Sequence, residues 1–226
     1  MKKYVVHVSI LLLFIIFCFI YNFSYGKTAQ NLMCSQIEYD YFCLETDYYN
    51  ATLRFGVRES YFRRDMIRTQ KKQYGVLTIK FFGDVPYAQN VVVRLKIGDE
   101  EIMCILEKNP FDSSFMCDIE RVYKADKILL YVDNVDFQYH DLTSITSSFN
   151  ANYSKALDFS FKTLKSFIDE NKDAVECYLT IRQSEDNQQY LWYFVAVGKT
   201  QTKFILFDHN LNICLMSWLF FGFLLN

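Results

Sequence analysis

Tyr74-Gly-Val-Leu-Thr-Ile-Lys-Phe81 and Val91-Val-Val-Arg-Leu-Lys-Ile97, separated by Gly83, Asp84 and Pro86, decide how this chain is read. In the first run Leu77, Ile79 and Phe81 alternate with Thr78 and Lys80. In the second, Val91, Val93, Leu95 and Ile97 alternate with Val92, Arg94 and Lys96. A strand sends successive side chains to opposite faces, so period-two alternation between turn residues marks half-buried antiparallel strands. Gly98-Asp99-Glu100-Glu101 turns the chain again. Residues 102–107 and 115–119 then form a hairpin across which Cys104 faces Cys117. Residues 128–132 and 135–139 read as two more short strands about a tight turn at Asp133-Asn134.

Upstream, Leu53, Phe55 and Val57 alternate with Arg54, which predicts a strand over residues 52–57. Residues 59–72 are charged and helix-compatible, with Met66 and Ile67 on the apolar side. Downstream, Leu157, Phe161, Leu164 and Ile168 fall on one helical stripe within residues 154–173. Residues 175–182, 190–197 and 202–207 then read as three antiparallel strands. The fold class is therefore mainly β with an α+β section. An antiparallel, sandwich-like meander over residues 27–143 precedes a helix packed on a small antiparallel sheet over 144–210. Residues 211–226 are an apolar tail that reads as a short anchor, a core strand or the edge of a mis-predicted exon.

The chain has 226 residues, with 22 Phe and 17 Tyr against 7 Gly and 2 Pro, a balance that argues for packed structure over disorder. The formal net charge of −2 gives no global field that would recruit nucleic acid. Lys2 and Lys3 precede an almost wholly apolar run over residues 5–20, followed by Ser24 and Gly26. This is the pattern of a secretory signal peptide, residues 1–26, cleaved after Gly26; an uncleaved signal anchor is the competing reading, and membrane contact is expected only if that segment or the tail is retained. The expected location is extracellular.

Secretion changes the reading of the cysteines. Cys18 lies in the leader, which leaves Cys34, Cys43, Cys104, Cys117, Cys177 and Cys214 in an oxidising compartment. Proximity in sequence predicts disulfides Cys34–Cys43 and Cys104–Cys117, with Cys177 and Cys214 as a further pair if the tail belongs to the fold. Asn50-Ala-Thr and Asn152-Tyr-Ser are N-glycosylation sequons.

Arg54, Arg58, Arg63, Arg64, Arg68, Lys71 and Lys72 read either as a patch for an acidic partner or as a solvated face balanced by nearby carboxylates. His140-Asp141 reads as a surface-loop pair. The sequence carries no phosphate loop, zinc-protease helix or calcium loop, and no metal or cofactor is expected. The protein is read as non-enzymatic, with an extracellular protein or matrix component as its partner.

Tyr39, Tyr41, Tyr48 and Tyr49 stand as candidate crosslinking sites, because an oxidised phenol reacts with lysine or cysteine side chains. The run Cys34-Ser-Gln-Ile-Glu-Tyr-Asp-Tyr-Phe-Cys43, with Leu53-Arg-Phe-Gly-Val-Arg-Glu-Ser-Tyr-Phe-Arg-Arg-Asp65 and Tyr74-Gly-Val-Leu77, resembles secreted proteins carrying the trematode eggshell-synthesis domain. The resemblance implies an eggshell-associated structural or assembly role, although long tyrosine-rich repeats are absent. A second resemblance is to the cystatins, through the helix-plus-strands section and Val195-Ala-Val-Gly198. Tyr193-Phe194 replaces the expected glutamine there. That likeness implies the alternative role, a secreted binding module or protease inhibitor.

Overall fold

The computed structural model describes residues 34–59, 71–83, 90–123, 125, 127–171, 175–184 and 189–220. The predicted leader, residues 1–26, and residues 60–70, on which most of the first predicted helix falls, lie outside these. Eight strands occupy the first part: β1 (Cys34–Glu45), β2 (Tyr49–Arg58), β3 (Lys72–Phe81), β4 (Asn90–Ile97), β5 (Glu100–Lys108), β6 (Phe115–Ile119), β7 (Ile128–Val132) and β8 (His140–Ser144). They hydrogen-bond in the order β1-β2-β3-β6-β5-β4-β7-β8, and β8 pairs back onto β1 at Phe42–Ser144 and Cys43–Thr143. The predicted sandwich-like meander is thus a closed antiparallel barrel. Its interior is the alternate set foreseen from the sequence: Leu53, Phe55, Leu77, Ile79, Val93, Leu95, Ile128 and Leu130 are all fully buried.

Two local predictions give way for identifiable reasons. Residues 34–43 form no cysteine-closed loop; they lie in β1, a single strand of 12 residues. Residues 135–139 form no strand either. The backbone N–H groups of Val135 and Asp136 bond back to Val132 O, and the Asp136 carboxylate accepts from Val132 N at 2.7 Å, which holds a compact turn. Phe137, expected on a strand face, is 99% exposed, and pairing resumes only at His140.

The second part hangs on β1. Strand β9 (Glu176–Gln183) runs parallel to it, with Cys34 opposite Cys177 and Ile37 opposite Leu179. Strands β10 (Tyr190–Val197), β11 (Gln201–Phe207) and β12 (Ile213–Phe220) follow antiparallel. The apolar tail is therefore a strand over Ile213–Phe220. The outer edge of β12 has no strand partner among the described residues, and Ile213, Leu215 and Met216 are about half exposed there. Helices α1 (Tyr153–Thr163) and α2 (Lys165–Glu170), one predicted helix broken at Leu164, cover one face of this sheet. Leu157, Phe161 and Phe167 meet Trp192, Phe194, Ile205 and Phe207 from the sheet, together with Ile37 and Tyr41 of β1.

Strand β1 thus serves both cores, and a register shift between Glu38 and Asp40 lets it do so. At the shift β2 comes so close that a Cβ on Gly56 would lie 2.2 Å from the Ile37 carbonyl oxygen. That contact is with backbone, which cannot swing away. Gly56→Ala should therefore lower stability by about 2–3 kcal/mol in urea unfolding. Gly83→Ala, where nothing lies within 4 Å, should change it by no more than about 0.5 kcal/mol.

Candidate binding groove

The face of β9 and β10 opposite the helices continues, through β1, into the outer wall of the barrel at β2, β3 and β6. The bend between them forms a groove of about 400 Å³. Strand alternation fills it from six strands: Gln36 and Glu38 from β1, Arg54 and Arg58 from β2, Tyr74 from β3, Met116 from β6, Thr180 and Arg182 from β9, and Tyr193 from β10. Gly56 presents no side chain between the two arginines, which keeps the floor open.

Glu38 is the centre of the site and is fully buried. Its Oε2 accepts from Ile181 N at 2.7 Å, and Arg54 Nη1 lies 3.6 Å from its Oε1. Gln36 Nε2 donates to Tyr74 OH at 2.7 Å and more weakly, at 3.5 Å, to Glu38 Oε1. Burial pushes the Glu38 carboxyl up from its ordinary range; Arg54, the Ile181 N–H, Arg182 and Gln36 pull it back only in part. Burial also raises the Tyr74 phenol, reinforced by Glu38, so that ring stays neutral.

Two guanidinium groups flank the centre, each lying over an aromatic ring. Arg58 sits 4.7 Å from the centroid of Tyr74 and Arg182 sits 5.2 Å from that of Tyr193. Arg58 also pairs with Asp118 at 2.9 Å. Arg54 Nε and Thr180 Oγ1 are buried with no hydrogen-bond partner. A buried polar atom left unpaired costs roughly 1–3 kcal/mol, and these two belong to residues lining the same groove. An arginine donor, a hydroxyl and two stacked guanidinium groups together suit an anion with several acceptor oxygens.

Of the predicted basic patch, Arg54 and Arg58 reach this groove, while Arg63, Arg64 and Arg68 lie outside the described residues. The other site predictions are placed elsewhere. The four candidate tyrosines divide: Tyr48 is 61% exposed on the β1–β2 turn, Tyr39 is half-buried against Tyr153, and Tyr41 and Tyr49 are buried. Tyr49 OH donates to Asp136 Oδ2 at 2.7 Å, and burial with that carboxylate pushes its phenol far up. Burial raises Tyr39 to about 12. The expectation that Tyr41 and Tyr49 face solvent is corrected accordingly.

Asn50 is half-buried in β2 and Asn152 is exposed at the start of α1. The Asn152 Oδ1 accepts from Lys155 N at 3.1 Å, which leaves its Nδ2, the atom a glycan would take, outside the cap. His140 sits 3.4 Å from Asp136, while Asp141 pairs with Lys127.

The cysteines stand as free thiols. Cys104 on β5 and Cys117 on β6 both contribute to the barrel core, Cys104 buried and Cys117 partly buried against it. The Cys34–Cys43 pairing is excluded: nine residues of one strand separate them, roughly 30 Å at ~3.3 Å per residue, where a disulfide requires Cα atoms within about 7 Å. The thiol of Cys34 meets Cys177 instead. Cys214, the predicted partner of Cys177, lies exposed on β12, and Cys43 contacts the Tyr190 hydroxyl.

Sequence reasoning missed Gln36, Tyr74, Thr180, Arg182 and Tyr193; Glu38 was among the nearby carboxylates expected to meet the arginines, and it meets Arg54. The signal was present in the alternation of Gln36, Glu38 and Asp40 with Ile37, Tyr39 and Tyr41, a strand pattern hidden by reading the flanking cysteines as a loop closure. No family model matches the chain, and no curated protein or solved structure is significantly similar to it.

Glu38 supplies a testable linkage between pH and stability. A carboxyl whose folded pKa is raised binds more protons folded than unfolded, so stability falls as pH rises above the ordinary glutamate range and through the raised folded pKa. Glu38→Gln keeps an acceptor for Ile181 and should abolish that part of the decline in urea titrations at successive pH values. Glu38→Ala strands the Ile181 N–H and should cost about 1–3 kcal/mol at every pH.

Proposed function

We propose that this chain is a secreted, non-enzymatic binding protein whose groove takes a sulfate or carboxylate group of an extracellular glycan. The observation that carries the reading is the pair of buried, unpartnered polar atoms, Arg54 Nε and Thr180 Oγ1, in a groove flanked by the stacked guanidinium groups of Arg58 and Arg182. The signal-peptide pattern at Lys2 to Gly26 supports an extracellular setting, and the two sequons fit it. Glu38 supports selectivity: its buried charge holds Arg54 on one side and disfavours anions that reach too deep.

An assembly role in an extracellular matrix, as the eggshell-domain resemblance implies, follows from the same reading if the glycan is a matrix component. Direct phenolic crosslinking then falls to Tyr48, the exposed member of the four candidates. The cystatin-like reading has a smaller basis: Val195 and Val197 line the groove instead of forming a projecting wedge.

The test is calorimetric titration of the mature protein with a heparin-derived oligosaccharide and with its desulfated form. The sulfated probe should bind, and more weakly as salt rises, because exposed charges are screened within about 8–10 Å at 0.1–0.15 M. Arg182→Ala and Arg58→Ala, both at the rim, should each weaken binding about tenfold, which is about 1.4 kcal/mol. Equal binding of both probes, or affinity untouched by either substitution, overturns the proposal.

A further inference from the structure

We infer that Cys34 and Cys177 are joined by a disulfide in the mature protein, a covalent staple between the barrel and the α/β section. Three observations carry it. The two residues are Cα partners across the parallel β1–β9 ladder, the register at which neighbouring strands bring two Cβ atoms together. Both are fully buried, so neither sulfur faces solvent. Both side chains enter the same apolar cluster, with Ile37, Leu179 and Phe194. Among the described residues the other cysteines lie elsewhere: Cys43 at the far end of β1, Cys104 and Cys117 on β5 and β6 of the barrel, and Cys214 exposed on β12, three strands from β9.

The position gives the bond a purpose. The backbone ladder between β1 and β9 is short, with pairs at Cys34–Cys177, Gln36–Tyr178 and Ile37–Leu179 before β1 turns away at the register shift. Two side chains of β1 extend the contact: Glu38 accepts from Ile181 N, and Ser35 Oγ donates to Glu176 Oε1, each at 2.7 Å. The ladder is irregular between its first and second rungs, so a bond at the first fastens the end of the junction that backbone pairing holds least regularly. The bond also closes a loop from β1 to β9, most of the described chain, and a crosslink restricts the unfolded state more as the loop it closes lengthens.

The chemistry balances as thiol–disulfide exchange. The thiolate of one cysteine attacks an oxidant of the disulfide class, such as glutathione disulfide, and forms a mixed disulfide while one glutathione thiol leaves. The second cysteine then displaces the other. One Cys34–Cys177 S–S bond forms, the oxidant's S–S bond breaks, and two protons and two electrons pass to two glutathione thiols. Burial of both sulfurs means that exchange occurs before β9 docks or during its local opening. Burial and the neighbouring Cys177 also push the Cys34 thiol up, which makes it a slow nucleophile once folded.

The oxidising compartment rests on the secretory reading, but the pairing is tested apart from it. Purified full-length mature chain is refolded in a glutathione redox buffer, alkylated, digested without reduction and mapped by mass spectrometry. The Cys34 peptide should be recovered linked to the Cys177 peptide. Thermal unfolding with and without a phosphine reductant should show a drop on reduction of order 10 °C, and the drop should shrink by more than half in Cys34→Val/Cys177→Val. Recovery of Cys34 as the alkylated thiol or joined to any other cysteine, or a reduction-induced drop equal in wild type and the double variant, overturns the inference. Failure of the chain to be exported from a eukaryotic host would overturn the secretory reading and leave this pairing standing.

Discussion

Strand β1 must satisfy its backbone groups on two edges, and the way it does so on the second edge governs the rest of the molecule. One edge pairs with β2 along nearly its whole length. The other is shared: β9 takes the first residues and β8 takes Phe42 and Cys43. Between them the chain needs a device that ends one ladder and begins the next. The register shift at Glu38–Asp40 supplies the change of direction, Gly56 supplies the room, and the Glu38 carboxylate accepts the Ile181 N–H that the departing backbone can no longer reach. Beyond the shift, Ile145 N donates to Tyr41 O and Thr146 Oγ1 to Asp40 Oδ1, which closes the gap on the barrel side.

That arrangement places a carboxylate where water does not reach. Desolvation is the larger influence on Glu38, and the Arg54 guanidinium at 3.6 Å is too distant for a tight bidentate pair. A well-packed apolar residue at this position would commonly be neutral or stabilising by comparison. What the charge contributes is geometry: it ties β9 to β1 and orients Arg54 toward a groove where its Nε has no partner. Fold junction and binding groove are in this sense one construction, because the residues that divide β1 between two sheets also line the concave face between them.

The parts legible in the sequence are those whose cause is local. Alternation in β3, β4 and β5 named the barrel interior, since Leu77, Ile79, Val93 and Leu95 face inward whether the sheet is open or closed. Closure was not legible, because the pairing of Phe42 with Ser144 joins residues a hundred positions apart and leaves no mark on either neighbourhood. The spacing of Cys34 and Cys43 misled for the opposite reason. It is short in sequence and long in an extended strand. Val135, Phe137 and Tyr139 imitate a strand, but the side chain of Asp136 binds the preceding backbone and overrides the pattern. Arg54 and Arg58 were noticed as charge, yet their role depends on Thr180 and Tyr193, which only the parallel docking of β9 brings near.

The barrel and the open sheet differ in one more respect. Within the ring every strand has neighbours on both sides, so the barrel offers little unpaired backbone to another chain. The open sheet ends at β12, whose sequence Ile213-Cys-Leu-Met-Ser-Trp-Leu-Phe220 contains no charge, proline or glycine. The usual safeguards of an edge strand, a lysine facing outward, a proline or a short length, are missing along this run. Colloidal behaviour of the protein is therefore concentrated in its final strand. Its self-association should rise with concentration and respond to a single outward charge at Leu215 far more than to any change on the barrel.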